Sequence, residues 1–240
     1  MLAILADIHG NAWALEAVLA DASRRGITEF FDLGDVLYGP LAPRRTYELL
    51  REINLTAQVR GNQDRLIVSG LSNPTLDWVR QDLGSEPIEW LANLPSVKTR
   101  GDWLLCHGTP TSDTEYLLEN VRSGLPLVRS DAEICASLGD VKQPWILCGH
   151  THVPRLVMLS TGQMILNPGS VGLPAYDDDA PVPHFMESFS PHACYATWDE
   201  GVVSFHRVAY DWNAAATKAR ELGREDWARG IAAGRLDAAG

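Results

Sequence analysis

Apolar and polar positions fall into two rhythms along this chain. In the first, short apolar runs alternate with amphipathic stretches. Leu2–Ala6 is an apolar run ended by a polar turn, the pattern of a buried strand. Asn11 stands where a helix cap belongs. Leu15, Val18, Leu19 and Ala22 then share one stripe, which closes at Gly26. "EFFDLGD" (29–35) and "LTAQVRGN" (55–62) read as the second and third strands, with a helix over Arg44–Glu52 between them. The order βαβαβ predicts a parallel sheet covered by helices. Residues 72–94 carry two weaker helical stretches, broken by Pro74 and Pro87.

After Ser96 the rhythm shortens. "SVKTR", "DWLLCHG", "WILCGH", "RLVMLST", "MILNPGS", "ACYATWDE" and "VVSFHRVAY" read as strands, with hairpin signals at Thr161-Gly162 and Glu200-Gly201. One helix is expected over Asp131–Leu138. An Ala-rich helical pattern starts at Asn213 and ends in a frayed, small-residue tail. There are no internal repeats and no low-complexity linker. The expectation is one domain over residues 1–240, with a helical extension over about 212–240: an α/β fold of two packed sheets with helices outside.

Composition narrows the function. The 45% apolar content over 240 residues supports a sizeable core. A net charge of −11 and the absence of any Lys/Arg run argue against general nucleic-acid binding. The four cysteines are scattered without metal-type pairing and read as reduced thiols. "MLAILAD" is too short, and lacks the cationic start, for a signal peptide. No apolar run is long enough to span a bilayer, so cytoplasm is the expected location.

The chemistry-bearing residues collect where strands end. The first strand ends in Asp7-Ile8-His9, the second in Gly34-Asp35, the third in Gly61-Asn62-Gln63-Asp64. Later ones end in His107-Gly108 and Gly149-His150-Thr151-His152. In open α/β sheets, ligand sites gather outside the carboxyl ends of strands. Taken singly, each motif is an ordinary turn sequence. Taken together, they hold four of the seven histidines and occur in order, each behind an apolar run.

This series resembles the calcineurin-like metallophosphoesterase family over residues 1 to about 172. The resemblance implies a four-layer α-β-β-α sandwich of two mixed sheets flanked by helices, with two divalent ions at the strand ends. Asp7, His9 and His152 would hold one ion; Asn62, His107 and His150 the other; Asp35 would bridge them. Two such ions offset charge on a phosphoryl group, and a hydroxide bridging them attacks phosphorus. The mixed donor set suits Mn, Fe, Zn, Co or Ni better than Ca. The Asn167–Ser170 sequence NPGS resembles a bacterial and archaeal phosphodiesterase branch, so the expected substrate is a small phosphorylated molecule, a diester before a monoester.

One position departs from many family members. Gln63 stands where they carry a histidine, and an amide cannot deliver a proton at neutral pH. Of the candidate catalytic residues Asp35, Asn62, Asp64 and His107, Asp64 is expected to orient its loop rather than bind an ion. Gln63, Arg60 and Asn167 are candidate substrate contacts, and Arg65 could also greet a phosphate. Cys106 should point away from the ions, opposite His107. "YDDDAPVPHF" (176–185) reads as an irregular acidic loop, a solvated surface or a lid whose Tyr176 or Phe185 could stack a base. The competing functions are a nucleotide pyrophosphohydrolase of the diadenosine tetraphosphatase type and a protein-binding scaffold. The latter is disfavoured because all seven ligand positions are present.

Overall fold

The computed structural model describes residues 1–236. Strands β1 (Leu2–Leu5), β2 (Glu29–Asp32) and β3 (Leu55–Gln58) run parallel, joined by helices α1 (Ala12–Arg24) and α2 (Pro43–Arg51). Asn11 caps α1 through its side chain, which accepts from Ala14 N. Three helices follow: α3 (Asn62–Val68), α4 (Pro74–Leu83) and α5 (Ser85–Ala92). Pro74 and Pro87 do not break this region. Each lies in the first turn of its helix, where no intrahelical N–H bond is lost.

The second sheet draws on β4 (Val97–Arg100), β5 (Trp103–Cys106), β8 (Trp145–Leu147), β9 (Arg155–Met158) and β10 (Met164–Asn167). Between them lie a two-residue-per-strand hairpin, β6 (Glu119–Asn120) with β7 (Leu127–Val128), and helix α6 (Asp131–Leu138). Residues 176–185 are not an irregular loop. They belong to a hairpin of β11 (Ala175–Asp178) and β12 (His184–Glu187). Finally β13 (Ala193–Asp199) and β14 (Val202–Val208) return to the first sheet, and α7 (Trp212–Glu221) and α8 (Glu225–Ala233) close the described chain. The tail expected to fray falls largely at 237–240, outside the described residues.

Strand order is β14-β13-β1-β2-β3 in one sheet and β4-β5-β8-β10-β9 in the other. Both are mixed, because β13 and β4 and β9 join their neighbours antiparallel. The layering follows from period two along the strands. Leu2, Ile4 and Ala6 face the second sheet, meeting Leu105, Leu147 and Leu166. Ala3 and Leu5 face the other way, onto Leu15 and Val18 of α1. On the far side, Cys106, Ile146 and Ile165 pack under Ile134 and Leu138 of α6. Three apolar layers therefore separate helices, sheet, sheet and helix, the expected four-layer sandwich. The α7–α8 pair forms a fourth cluster with Leu41 and Leu173, beside the carboxyl ends of the central strands.

Candidate metal centre

The turns after β1, β2, β5 and β8 converge. Asp7, His9 and His152 form one group of donors and Asp35, His107 and His150 a second; all six are buried. Five of these six adopt positive φ: Asp7, His9 and Asp35 at 54°, His150 at 70° and His152 at 59°. Left-handed backbone at non-glycine residues costs on the order of 1–3 kcal/mol each and persists only where the surroundings impose it. Here hydrogen bonds between neighbouring turns impose it: Asp7 N donates to Gly34 O at 3.0 Å, and His9 N donates to Asp35 O at 2.9 Å. Close approach explains two glycines. A Cβ at Gly61 would stand 2.1 Å from Asp35 Oδ1, and one at Gly149 would stand 2.9 Å from Asp7 Oδ2.

Each of the four imidazoles has one ring nitrogen against a backbone carbonyl. His9 Nδ1 lies 3.1 Å from Tyr38 O, His107 Nδ1 2.8 Å from Leu33 O and His152 Nδ1 2.6 Å from Leu173 O. His150 uses Nε2, 3.1 Å from Thr114 O. A carbonyl only accepts, so these nitrogens carry the protons. In the neutral rings the other nitrogens then present lone pairs to the interior, the arrangement that fixes a metal-ligating histidine.

The distances fit a shared cation. His9 Nε2 and His152 Nε2 are 3.1 Å apart, lone pair toward lone pair. His152 Nε2 is 3.3 Å from Asp7 Oδ1, and His107 Nε2 is 3.3 Å from Asp35 Oδ2. Two donors each about 2.1 Å from one ion stand roughly 3.0–3.4 Å apart at octahedral or tetrahedral angles. Asp7 Oδ1, Asn62 Oδ1, Gln63 Oε1 and His107 Nε2 are buried without a hydrogen-bond partner among the described residues. Unpartnered buried polar atoms are costly, and cations are the partners that Asp7 in the first group and Asn62 and His107 in the second would find. Asp7 Oδ1 also lies within 3.9 Å of both His9 and His107, so it faces imidazoles of both groups.

The electrostatics agree. Burial disfavours charge on His9 and His150, and neighbouring imidazoles add to it, holding both down to about 4. Burial also opposes charge on His107, but Asp35 and Asp7 outweigh it and push His107 up to about 10. Burial would raise Asp35, yet His107 beside it holds the carboxylate well below its usual range. The two carboxylates thus form a seat for positive charge.

The other expected site residues separate. Asp64 is buried and orients the loop: its Oδ1 accepts from Val36 N at 3.0 Å and its Oδ2 from Gly61 N at 3.2 Å. Burial and the nearby Asp35 charge lift its carboxyl to about 7. Gln63 and Asn62 line a cavity of about 190 Å³ with Asp35, His150 and His152. Arg60 does not reach it; its guanidinium turns to Ala92 O. Arg65 is held by both oxygens of Asp113. Asn167 is also absent from the cavity wall. Its amide donates to Gly149 O at 2.8 Å and to Thr151 Oγ1 at 3.0 Å, bracing the turn that carries His150 and His152. Cys106 packs under α6, where burial pushes its thiol up to about 12. All four cysteines are free.

The hairpin β11–β12 roofs the centre. Tyr176 OH donates to His150 O at 2.9 Å, and Tyr116 OH lies 3.0 Å from both Tyr176 OH and His184 Nε2. A second cavity, of about 610 Å³, runs between the 114–122 segment and the hairpin turn. It meets the first at Asn62, His150 and Asp178. Tyr38, Tyr116, Arg224 and Trp227 also line these cavities. None stands in a motif, and only the fold brings them to the site.

A family model described as the calcineurin-like phosphoesterase superfamily domain matches residues 1–186. The crystal structure of a metallophosphoesterase from Sphaerobacter thermophilus is 30% identical and superposes with a TM-score of 0.78, covering 98% of this chain and 99% of that one. A hypothetical protein from Pyrococcus horikoshii OT3 shares the fold at 22% identity and a TM-score of 0.73, over 98% of this chain and 99% of its own. An uncharacterized protein of Methanocaldococcus jannaschii is 28% identical over 205 residues, 72% of this chain and 77% of the relative.

Proposed function

The chain belongs to the calcineurin-like phosphoesterase superfamily, and from that premise we propose that it is a two-metal hydrolase of small phosphodiesters. The observation that carries the reading is the pair of adjacent, buried three-donor groups, in which Asp7 Oδ1 and His107 Nε2, with Asn62 Oδ1 beside them, have no hydrogen-bond partner among the described residues. Asp7, His9 and His152 would hold one ion, and Asp35, His107 and His150 with Asn62 the other. When bound, divalent ions of the manganese, iron, zinc, cobalt or nickel kind supply Lewis acidity toward phosphoryl oxygens and acidify water.

The protein's own part is to prepare that place. Backbone carbonyls set the tautomer of each imidazole. Asp64 ties the Gly34–Leu37 turn to the start of α3, which aims Asp35 and Asn62 at the same cavity. Burial keeps water from competing for the donors.

Two features support a diester. The two cavities that meet at Asn62, His150 and Asp178 offer one space for each substituent of a phosphodiester. Gln63 lines the same cavity and can donate a hydrogen bond to a leaving oxygen without protonating it. Asp177, Asp178 and Asp226 line the first cavity and oppose polyanions such as dinucleoside polyphosphates. The strained donors oppose a scaffold role, since protein docking needs none of them. The four free thiols support a reducing, cytoplasmic setting.

The test is a parallel assay of manganese-loaded protein on bis(p-nitrophenyl) phosphate, p-nitrophenyl phosphate and diadenosine tetraphosphate. Fastest turnover of the diester is expected. Hydrolysis of the polyphosphate alone would overturn the diester reading, and no hydrolysis with no bound metal would overturn the enzyme. Gln63→His should raise the monoester-to-diester ratio; an unchanged ratio removes position 63 from the argument.

A further inference from the structure

Part of the metal cavity comes from outside the residues matched by the family model, which end at 186. The start of helix α8, with Arg224 as its N-cap and Asp226 and Trp227 in its first turn, reaches the wall that also holds Asp35 and His152. Arg224 is the one Lys or Arg among the described residues lining this cavity, against the carboxylates of Asp35, Asp177, Asp178 and Asp226. The two arginines nearest the motif in sequence are engaged elsewhere, Arg60 on Ala92 O and Arg65 on Asp113.

The guanidinium is aimed rather than loose. Nε donates to Asp226 Oδ1 at 2.9 Å, Nη2 donates to Asp226 Oδ2, and Nη1 donates to Thr75 Oγ1 at 2.8 Å. Its carbon lies 5.4 Å from the centre of the Trp227 ring. Trp227 in turn sets its ring edge-on to His9, with centroids 5.5 Å apart. The platform that carries Arg224 therefore touches one of the candidate ligands. Asp226 and Thr75 take three of the five N–H groups and Tyr38 also lies against the guanidinium, so at most one N–H on Nη1 and one on Nη2 remain for an anion.

We propose that Arg224 binds the substrate phosphate beside the metal centre, and that the C-terminal helix pair thereby selects monoanionic phosphodiesters with an apolar substituent. The proposal rests on the diesterase reading. The chemistry follows from the wall. With its Nε edge held by Asp226, the guanidinium still turns a fixed positive charge and its remaining Nη N–H groups toward a phosphate oxygen, in a direction a flexible lysine ammonium would not keep. Tyr38, Leu173 and Trp227 offer an apolar surface beside it, and the acidic rim excludes further negative charge.

The experiment compares manganese-loaded wild type with Arg224→Gln and Arg224→Lys, and with Arg45→Gln as a surface charge-loss control. Arg45 pairs with Glu16 on the outside of the fold. KM and kcat are measured on bis(p-nitrophenyl) phosphate, the Kd of inorganic phosphate by calorimetry, and bound metal by elemental analysis. A charge-assisted hydrogen bond is worth roughly a 10-fold to 100-fold change in binding. Arg224→Gln should raise both KM and the phosphate Kd by that factor while metal content holds. Arg224→Lys should fall between, and Arg45→Gln should match wild type. A lower melting temperature with unchanged KM and Kd would make Arg224 a structural pin between α8 and α4, and overturn the proposal. Weaker phosphate binding in Arg224→Gln, in a protein that cleaves no diester, would sink the diesterase reading and with it the selection of diesters, and leave Arg224 standing as a phosphate-binding residue.

Discussion

The donor cage and the cavity rim of this site lie side by side but are built by different rules. The cage consists of Asp7, His9, Asp35, His107, His150 and His152, all buried. Its residues lie within a few positions of strand ends, and its imidazoles are fixed by main-chain carbonyls. The rim consists of Tyr38, Tyr116, Tyr176, Arg224 and Trp227, drawn from segments far apart in the chain and held by side-chain contacts. The contrast teaches that reactivity and selectivity are carried at different levels of structure. The cage needs particular residue types at particular turns. The rim needs only that ordinary side chains be brought together.

The largest expected effect breaks the cage itself. Asp35→Asn removes a carboxylate from the seat of positive charge and should lower kcat/KM on a diester by on the order of 10³-fold, given that one preorganised electrostatic group is worth about 10²–10³. Bound metal should fall with it, and full metal content in this variant would contradict the assignment. Asp64→Asn acts one step outward. It replaces an acceptor facing Gly61 N by an N–H, leaving both donors without a partner. Metal affinity should weaken about 10–100-fold, as for other groups that orient ligands. Equilibrium dialysis against manganese reads it, and an unchanged affinity would make Asp64 a fold residue only.

At the rim the signature should invert. Tyr116→Phe removes the hydroxyl that joins Tyr176 and His184 but keeps the ring 4.9 Å from His150. KM should shift a few-fold, roughly the worth of a hydrogen bond of 0.5–1.5 kcal/mol, with metal content and kcat preserved. A variant that loses metal would erase the distinction between rim and cage. The smallest effect lies outside both. Hydrogen bonds from Arg25, Tyr195 and Arg24 outweigh burial and hold the Asp21 carboxyl down to about 2, below its ordinary 3.8. A depressed value means that the stabilisation is present above pH 4 and is lost as pH falls toward 2. Asp21→Asn should therefore flatten the acid arm of a stability profile between pH 4 and pH 2, by less than about 1 kcal/mol, and leave activity unchanged.

The same contrast explains what the sequence made legible. Strands of the two sheets are visible because their apolar residues alternate between two covered faces, as Leu2, Ile4 and Ala6 do against Ala3 and Leu5. The candidate ligands are visible because glycine-flanked Asp, Asn and His recur at strand ends. The hairpin over 175–187 was hidden. Asp177–Asp179, Pro181 and Pro183 dominate its composition, and only His184 and Met186 of β12 are buried. Arg60 looked well placed because it stands two residues before Asn62, but the backbone turn into α3 sends it the other way. Asn167 is polar and close to the site, yet its amide is occupied by the turn it braces. Arg224 and Trp227 gave no signal at all, since an Arg and a Trp in an Ala-rich helix look like surface and packing.

The carbonyl props beneath the imidazoles have a consequence for how such an enzyme diversifies. Every amino acid has a carbonyl, so the residues at 38, 114 and 173 keep the histidines aligned whatever side chain they carry. All three residues also line the two cavities. One position thus answers to two demands, through its carbonyl to an imidazole of the cage and through its place on a cavity wall to whatever enters there. A lineage can explore new substrates at Tyr38 and Thr114 by single substitutions while the imidazole supports beneath them stay intact, whereas Leu173 is also bound to the apolar cluster under α7 and α8.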